Sequence, residues 1–172
     1  MAYYSEAEKA KEIIGKYLYG KIIDIGAGGY PITEEAICVD GRNVGKVDVL
    51  TNNLYELYQF GILREADIVF SSHNLEHLTD DTWAITEWSR LLKQDGLLIL
   101  YLPCGSKYSN EGNMEHMRDY NYDNFMFYFK RVFCGAGKDF KGENFPAIFE
   151  LIDSGTDYRE DCYSFFLVAK KL

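Results

Sequence analysis

The segment Leu97 to Leu102, Leu-Leu-Ile-Leu-Tyr-Leu, is the strongest constraint on how this chain folds. A strand that is apolar at every position is buried on both faces, as in a parallel sheet with helices laid over each side. The Asp95-Gly96 pair turns the chain into it, and Pro103 ends it. Around this run, strand and helix patterns alternate, which is the signature of an α/β layered fold. Ser5 and Glu8 form a capping box ahead of apolar Ala10, Ile13, Ile14, Tyr17 and Leu18, so the first helix begins here and Gly20 ends it. Short strands are predicted at Lys21 to Ile25, Ala36 to Asp40, Val47 to Leu50 and Ala66 to Ser71, with a loop or short helix around Leu54 to Leu63. Thr79 is expected to cap the next helix, with Asp80 and Asp81 in its first turn and an apolar stripe through Ala84, Ile85, Trp88, Leu91 and Leu92. Tyr122 to Phe133 reads as another helix. Ile148 to Ser154 and Tyr163 to Lys170 read as a closing antiparallel pair.

With 172 residues, 47 % of them hydrophobic, the chain suits one domain over 1–172, its first 20 residues packing on or lidding the sheet. Four cysteines without a C-x-x-C pair argue against a disulfide scaffold and against a Cys-rich zinc module, so reduced thiols in a cytoplasm are the simplest reading. The polar, Glu- and Lys-rich N-terminus does not resemble a signal peptide. No apolar run approaches the roughly 20 residues that span a bilayer, so no membrane insertion is expected. A net charge of −9 argues against nucleic-acid partners, because little cationic charge is gathered to neutralise phosphates.

In an open sheet of this kind the ligand lies beyond the carboxyl ends of the strands. Five segments meet there: Asp24-Ile25-Gly26-Ala27-Gly28-Gly29-Tyr30, Asp40, Asn52-Asn53-Leu54, Ser71-Ser72-His73-Asn74-Leu75-Glu76-His77, and Pro103-Cys104-Gly105. Gly26 and Gly28 let backbone approach a ligand where a side chain would collide. A carboxylate at the end of the second strand suits the two hydroxyls of a ribose, and Asn after the third can hydrogen-bond an adenine edge. The plain structural readings stand beside these: a tight turn for the glycines and a turn carboxylate for Asp40.

Taken in this order, the segments resemble the class I S-adenosylmethionine-dependent methyltransferases. Asp24-Ile25-Gly26-Ala27-Gly28 stands as that family's D-x-G-x-G, Asp40 closes the second strand, and Leu75-Glu76-His77-Leu78 is similar to an L-E-H signature of some members. The run Glu87 to Leu100 resembles the E-x-x-R-x-L-K-P-G-G-x-L entry to the fifth strand, with Gln94-Asp95-Gly96 in place of Pro-Gly-Gly. Tyr30 stands where a third glycine is usual, and only 14 residues separate Gly26 from Asp40, too few for a full crossover helix.

The resemblance implies a Rossmann-like three-layer sandwich with a mostly parallel seven-stranded sheet and an antiparallel closing strand. It implies S-adenosylmethionine as cofactor, held by Asp24, Gly26, Gly28, Asp40, Asn52, Asn53, Leu54, Ser72 and His73. It also implies methyl transfer to a hydroxyl or similar atom of a small-molecule or glycan acceptor, with a homodimer mate or protein partner supplying a lid.

His73, His77 and His116 are the chain's three histidines. His73 and His116 are candidates for a general base. His73-Asn74-Leu75-Glu76-His77 puts both imidazoles on one face if the segment is helical, and some similar methyltransferases bind a divalent metal through such a string and a later histidine. His73, Glu76, His77 and His116 are therefore candidate ligands, and hydrogen bonds that merely hold the loop are the plain alternative. Tyr108, Tyr120, Tyr122, Phe125, Phe127 and Tyr128 either line an acceptor cleft or form the buried face of a helix. Cys104 is either a reactive thiol or a small pocket residue. Three other readings remain: a non-catalytic methyltransferase-like subunit, a nicotinamide enzyme (which would show G-x-G-x-x-G) and a metal hydrolase built on His73, Glu76 and His77.

Overall fold

The computed structural model describes residues 5–105, 107, 115–139, 141–160 and 162–172. Seven strands form one sheet: β1 (Ile22–Ile25), β2 (Ile37–Asp40), β3 (Val49–Leu50), β4 (Ala66–Ser72), β5 (Leu92–Pro103), β6 (Phe149–Asp157) and β7 (Ser164–Lys171). Their order across the sheet is β3-β2-β1-β4-β5-β7-β6. All neighbouring pairs are parallel except those of β7, which runs antiparallel to both β5 and β6. This is the expected Rossmann-like sheet with one antiparallel closing strand.

The central apolar run sorts its side chains by period two. Ile99 and Tyr101 join Ile68 and Phe70 in a core against Ala10 and Ile14 of helix α1 (Glu6–Ile14). Leu98, Leu100 and Leu102 face the other way, into the larger core with Trp88 of α2 (Asp81–Ser89) and Phe129 of α3 (Tyr122–Phe133). Both faces are thereby dry, which explains why no polar residue interrupts the run. No helix among the described residues is long and apolar enough to cross a membrane.

Several boundaries differ from the sequence reading. The capping box of α1 is present, but the helix ends at Ile14 and a 3-10 turn, Gly15–Tyr17, continues it. The third strand is only Val49–Leu50, and Leu57–Gln59 and Gly61–Leu63 are 3-10 turns. β5 begins at Leu92. Asp95, with a φ of 61°, lies within that strand, where the register against β4 shifts between Ala66 and Ile68.

The cap of α2 is Asp80, whose Oδ1 accepts from the Trp83 N–H at 2.8 Å, while the Thr79 hydroxyl meets Tyr55 Oη at 3.0 Å. Asp80→Ala is therefore expected to cost about 1 kcal/mol in urea unfolding. An unchanged midpoint would mean that α2 is not capped there.

Candidate active site

Strand ends β1, β2 and β4 carry the chemistry. Asp24, almost completely buried, accepts from the Ile32 N–H at 2.7 Å through Oδ2, while its Oδ1 has no hydrogen-bond partner among the described residues. Burial pushes its pKa up to about 7; the Ile32 amide opposes that rise and the nearby Asp40 carboxylate adds to it. Gly26 and Gly28 are both left-handed, at φ 79° and 60°. A Cβ on Gly26 would sit 2.4 Å from Asn74 Cγ, whereas one on Gly28 would meet only the Gly26 carbonyl, at 3.9 Å. Asp40 clasps the turn: Oδ2 accepts from the Gly28 N–H at 2.8 Å and Oδ1 from the Arg42 N–H at 2.7 Å. Each carboxylate oxygen retains a lone pair for a further donor.

Two adjoining cavities open along this edge. The larger, about 340 Å³, is lined among others by Asp40, Asn52, Leu54, Asn74, His77 and Glu115. The smaller, about 180 Å³, is lined by Asp24, Gly28 and Ser72 with Ser5 and Glu6 from the start of α1. Gly26, Arg42 and His73 belong to both. Leu54 is held there because its carbonyl accepts from Trp88 Nε1 at 2.7 Å, tying α2 to the loop after β3. Asn53 lines neither cavity. It is exposed, and its Oδ1 accepts from the Tyr55 N–H at 3.2 Å, which shapes the turn that presents Asn52 and Leu54. Ser72 Oγ, like Asp24 Oδ1, is buried with no hydrogen-bond partner among the described residues.

His73 takes a left-handed backbone, φ 45°, and its N–H donates to the Tyr101 carbonyl at 2.9 Å. Its Nε2 lies 2.8 Å from Ser164 Oγ and 3.4 Å from a Glu6 carboxylate oxygen. Burial, with Lys9 and the two other imidazoles adding to it, pushes the His73 pKa down to about 3, so the ring stays neutral at ordinary pH.

Glu76, His77 and His116 come together. One ligand atom of each lies within 4.8 Å of the others. Their rings and carboxylate are set by the 3-10 turn Leu75–His77 and by the Met117 N–H, which donates to the Glu76 carbonyl at 2.8 Å. The His77 and His116 rings meet edge-on at 4.7 Å. Glu76 is fully buried, and neither carboxylate oxygen has a hydrogen-bond partner among the described residues. Burial raises its pKa to about 8. His73 does not join this group, its Nε2 being turned to Ser164 and Glu6 instead.

The aromatic stretch is packing rather than cleft. Phe125 is core, and the hydroxyls of Tyr120 and Tyr128 both reach the Asp81 carboxylate, at 3.2 Å each. Tyr122 Oη pairs with Ser154 Oγ at 3.0 Å, and Phe127 is exposed on α3. None of these five lines either cavity, and Tyr108 lies outside the described residues. Cys104 is fully buried, its Sγ 3.3 Å from Tyr158 Oη. Sequence reasoning missed Glu6, Arg42 and Ser164, and gave Asn74 no role of its own. Asn74 lies within a recognised segment and Arg42 two residues beyond Asp40, whereas Glu6 and Ser164 arrive from distant parts of the chain.

A family model described as a methyltransferase domain matches residues 23–100. No curated protein matches the chain. Among solved structures, an S-adenosylmethionine-dependent methyltransferase from Thermotoga maritima superposes with a TM-score of 0.67 at 16 % identity, over 98 % of this chain and 88 % of its own. The Burkholderia thailandensis 1,6-didemethyltoxoflavin-N1-methyltransferase, solved with S-adenosylhomocysteine, gives 0.66 at 15 % identity, over 97 % and 78 %. A chain from the complex of the Haloferax volcanii Trm112 activator with a methyltransferase gives 0.66 at 11 %, over 94 % and 88 %. Residues 23–100, from the first strand to the fifth of a sheet of this order, thus match a methyltransferase domain, and the solved methyltransferases share the fold of the chain.

Proposed function

We propose that this methyltransferase acts on a hydroxyl or similar acceptor atom of a small molecule or a carbohydrate, and that its cofactor lies along the two adjoining cavities. One observation carries the cofactor half of this reading. Asp24 Oδ1 and Ser72 Oγ are buried polar atoms without a hydrogen-bond partner among the described residues, and both residues line the smaller cavity. Native proteins leave few such atoms unsatisfied, so a polar ligand belongs beside them. Asp24, Gly26, Gly28, Ser72 and His73 would then hold the amino-acid end of the cofactor, Asp40 its ribose hydroxyls, and Asn52 and Leu54 its adenine. S-adenosylmethionine supplies an electrophilic methyl carbon on a sulfonium.

The residues' share of such a transfer is mainly to hold acceptor and methyl group in line and to keep water out. A neutral, hydrogen-bonded His73 suits orientation better than proton removal. His116, whose pKa burial and His77 also lower, is the remaining imidazole for that task. Both cavities open to solvent and carry polar walls, which favours a hydroxylated acceptor over an apolar one. They also leave room for a lid from a second copy or a protein partner, an arrangement for which the activator-bound neighbour offers a precedent.

The test is calorimetric titration of S-adenosylhomocysteine into wild type and Asp40→Ala. Micromolar binding is expected, weakened in the variant by about 1.5–3 kcal/mol, roughly 10- to 150-fold. No binding to the wild type, or equal binding to both proteins, would overturn the assignment of these cavities.

A further inference from the structure

We propose that Ser164, Tyr101 and Asp157 are positioning residues: they hold the His73 proton on Nε2 and so leave Nδ1 as a bare lone pair for the hydroxyl hydrogen of the acceptor. The part played by that hydroxyl rests on the methyl-transfer reading; the placement of the proton does not.

Strand register brings these residues together. Ser72, the last residue of β4, lies opposite Tyr101 of β5, so His73 follows directly beside it. Pro103 of β5 and Asp157 of β6 both lie opposite Ser164 of β7. Tyr101, Ser164 and Asp157 are almost completely buried, and the His73 ring stacks on that of Tyr101 with centroids 5.7 Å apart. Arg159 donates from Nε and Nη2 to the two Asp157 oxygens, at 2.8 Å each, and from Nη2 to the Lys9 carbonyl at 2.9 Å. The far end of the chain of bonds is thereby tied to α1.

The protons follow from the charged end. Burial works to raise the Asp157 pKa, but the hydrogen bonds from Arg159 and Tyr101 outweigh it and hold it at about 2. The carboxylate is therefore ionised and only accepts. Tyr101 Oη gives it its one hydrogen, at 2.7 Å. The Ser164 hydroxyl also hydrogen-bonds the Tyr101 oxygen. With the phenol hydrogen already committed, the hydrogen between them is that of Ser164. Ser164 Oγ, 2.8 Å from His73 Nε2, is then left to accept, so Nε2 is the donor. The Glu6 carboxylate oxygen 3.4 Å from Nε2 is an acceptor too and agrees with that sense. The ring is neutral, because burial lowers its pKa, so Nδ1 carries no proton. His73 lines both cavities, and with Nε2 engaged by Ser164, Nδ1 is the nitrogen left for a ligand. A lone pair fixed there accepts from an O–H and repels an ether or carboxylate oxygen, which selects an acceptor atom that bears a hydrogen. The hydrogen bond orients the acceptor oxygen without removing its proton, in keeping with so weakly basic a ring.

The test is long-range proton–nitrogen NMR of the full chain with isotope-labelled histidines, which shows which ring nitrogen carries the proton. The chain has three histidines, and His73→Asn, which tolerates the left-handed backbone, identifies the His73 signals by their loss. Wild type at neutral pH is expected to show His73 as Nε2–H alone, with and without saturating S-adenosylhomocysteine. In Tyr101→Phe the ring stays and the oxygen goes. The Ser164 hydrogen then turns to Nε2, and the Nδ1–H fraction is expected to rise by at least about fivefold. A tyrosine that served packing alone would leave the tautomer as it was. Should Tyr101→Phe not fold, Ser164→Ala combined with Glu6→Ala removes both acceptors from Nε2 and is expected to raise that fraction as well. Nδ1–H in the wild type, or an unchanged tautomer in the folded variant, would overturn the proposal. The tautomer is read without cofactor or acceptor, so the two ideas fail separately. Nε2–H alone in a protein that binds no S-adenosylhomocysteine removes the cavity assignment and leaves the chain of bonds standing, whereas cofactor binding beside a mixed tautomer removes this proposal alone.

Discussion

Gly26→Ala is expected to cost about 3 kcal/mol or more in stability, and Gly28→Ala to leave the fold standing while cofactor binding falls. The two glycines sit two residues apart in one turn, both left-handed, yet their surroundings differ. At Gly26, alanine would carry the penalty of a left-handed backbone, about 1–2 kcal/mol. It would also place Cβ 2.4 Å from Asn74 Cγ and 2.7 Å from Asn74 Cβ. A clash with the root of a side chain cannot be relieved by turning its end, so the loop after β4 must move, at a further cost of about 1–3 kcal/mol. Against a typical stability of about 5–15 kcal/mol this is a large loss. At Gly28 the backbone penalty remains, but the added methyl meets only a carbonyl at 3.9 Å and otherwise enters open cavity. Urea unfolding should therefore shift strongly for Gly26→Ala and modestly for Gly28→Ala. S-adenosylhomocysteine affinity of the folded Gly28→Ala protein should fall by about tenfold or more. Unimpaired binding by that variant would mean that the cofactor does not use the space beside Gly28.

These two positions also illustrate what the sequence could reveal. The D-x-G-x-G turn, Asp40 and the Leu97–Leu102 run were legible because each obeys a local rule: glycine where φ is positive, a carboxylate ending a strand, unbroken apolarity where both faces are buried. The helix α3 was read at its observed limits, Tyr122–Phe133, because its apolar spacing is strong. The cap of α2 was misplaced by one residue because Thr79 and Asp80 can both accept, and only the backbone decides which of them does.

The histidine string failed for a different reason. Placing His73 beside His77 assumes helical spacing of four. The chain instead passes through a left-handed His73 and then a three-residue 3-10 turn, which rotates His73 onto Ser164. Nothing near His73 in the sequence announces Ser164, because β7 comes beside β5 only through tertiary pairing, with Pro103 opposite Ser164. Glu6 reaches the smaller cavity in the same way, through α1 packing over β4.

The affinity for S-adenosylhomocysteine is expected to rise as pH rises and to level off above about 7. Asp24 is the reason. Its carboxyl titrates near 3.8 when unfolded and at about 7 when folded, because burial disfavours the charge and Asp40 adds repulsion. The folded protein therefore holds a proton that the unfolded chain has released across that interval. The share of stability that Asp24 contributes is fully present below about 4, falls as pH rises, and is lost above about 7. The amino-acid end of S-adenosylhomocysteine carries an ammonium group, which on the proposed reading comes to lie by Asp24 and favours its charged form. Below pH 7 that ligand must expel the proton, so affinity should drop by up to tenfold per pH unit. Calorimetry at pH 6 in buffers of different ionisation enthalpy should register the proton released. His73, titrating near 3 when folded, is neutral across the range of the titration and adds nothing to the affinity slope, whereas its share of stability rises with pH between about 3 and its unfolded value of 6.5. Asp24→Asn should leave affinity low and insensitive to pH, and relative to wild type its stability should fall less steeply between 4 and 7, the slopes from Glu76 and His73 remaining. An affinity that is constant from pH 5.5 to 8 in the wild type would mean that the ligand's cationic end lies elsewhere. The unpaired oxygen of Asp24 would then need another partner, and the smaller cavity another occupant.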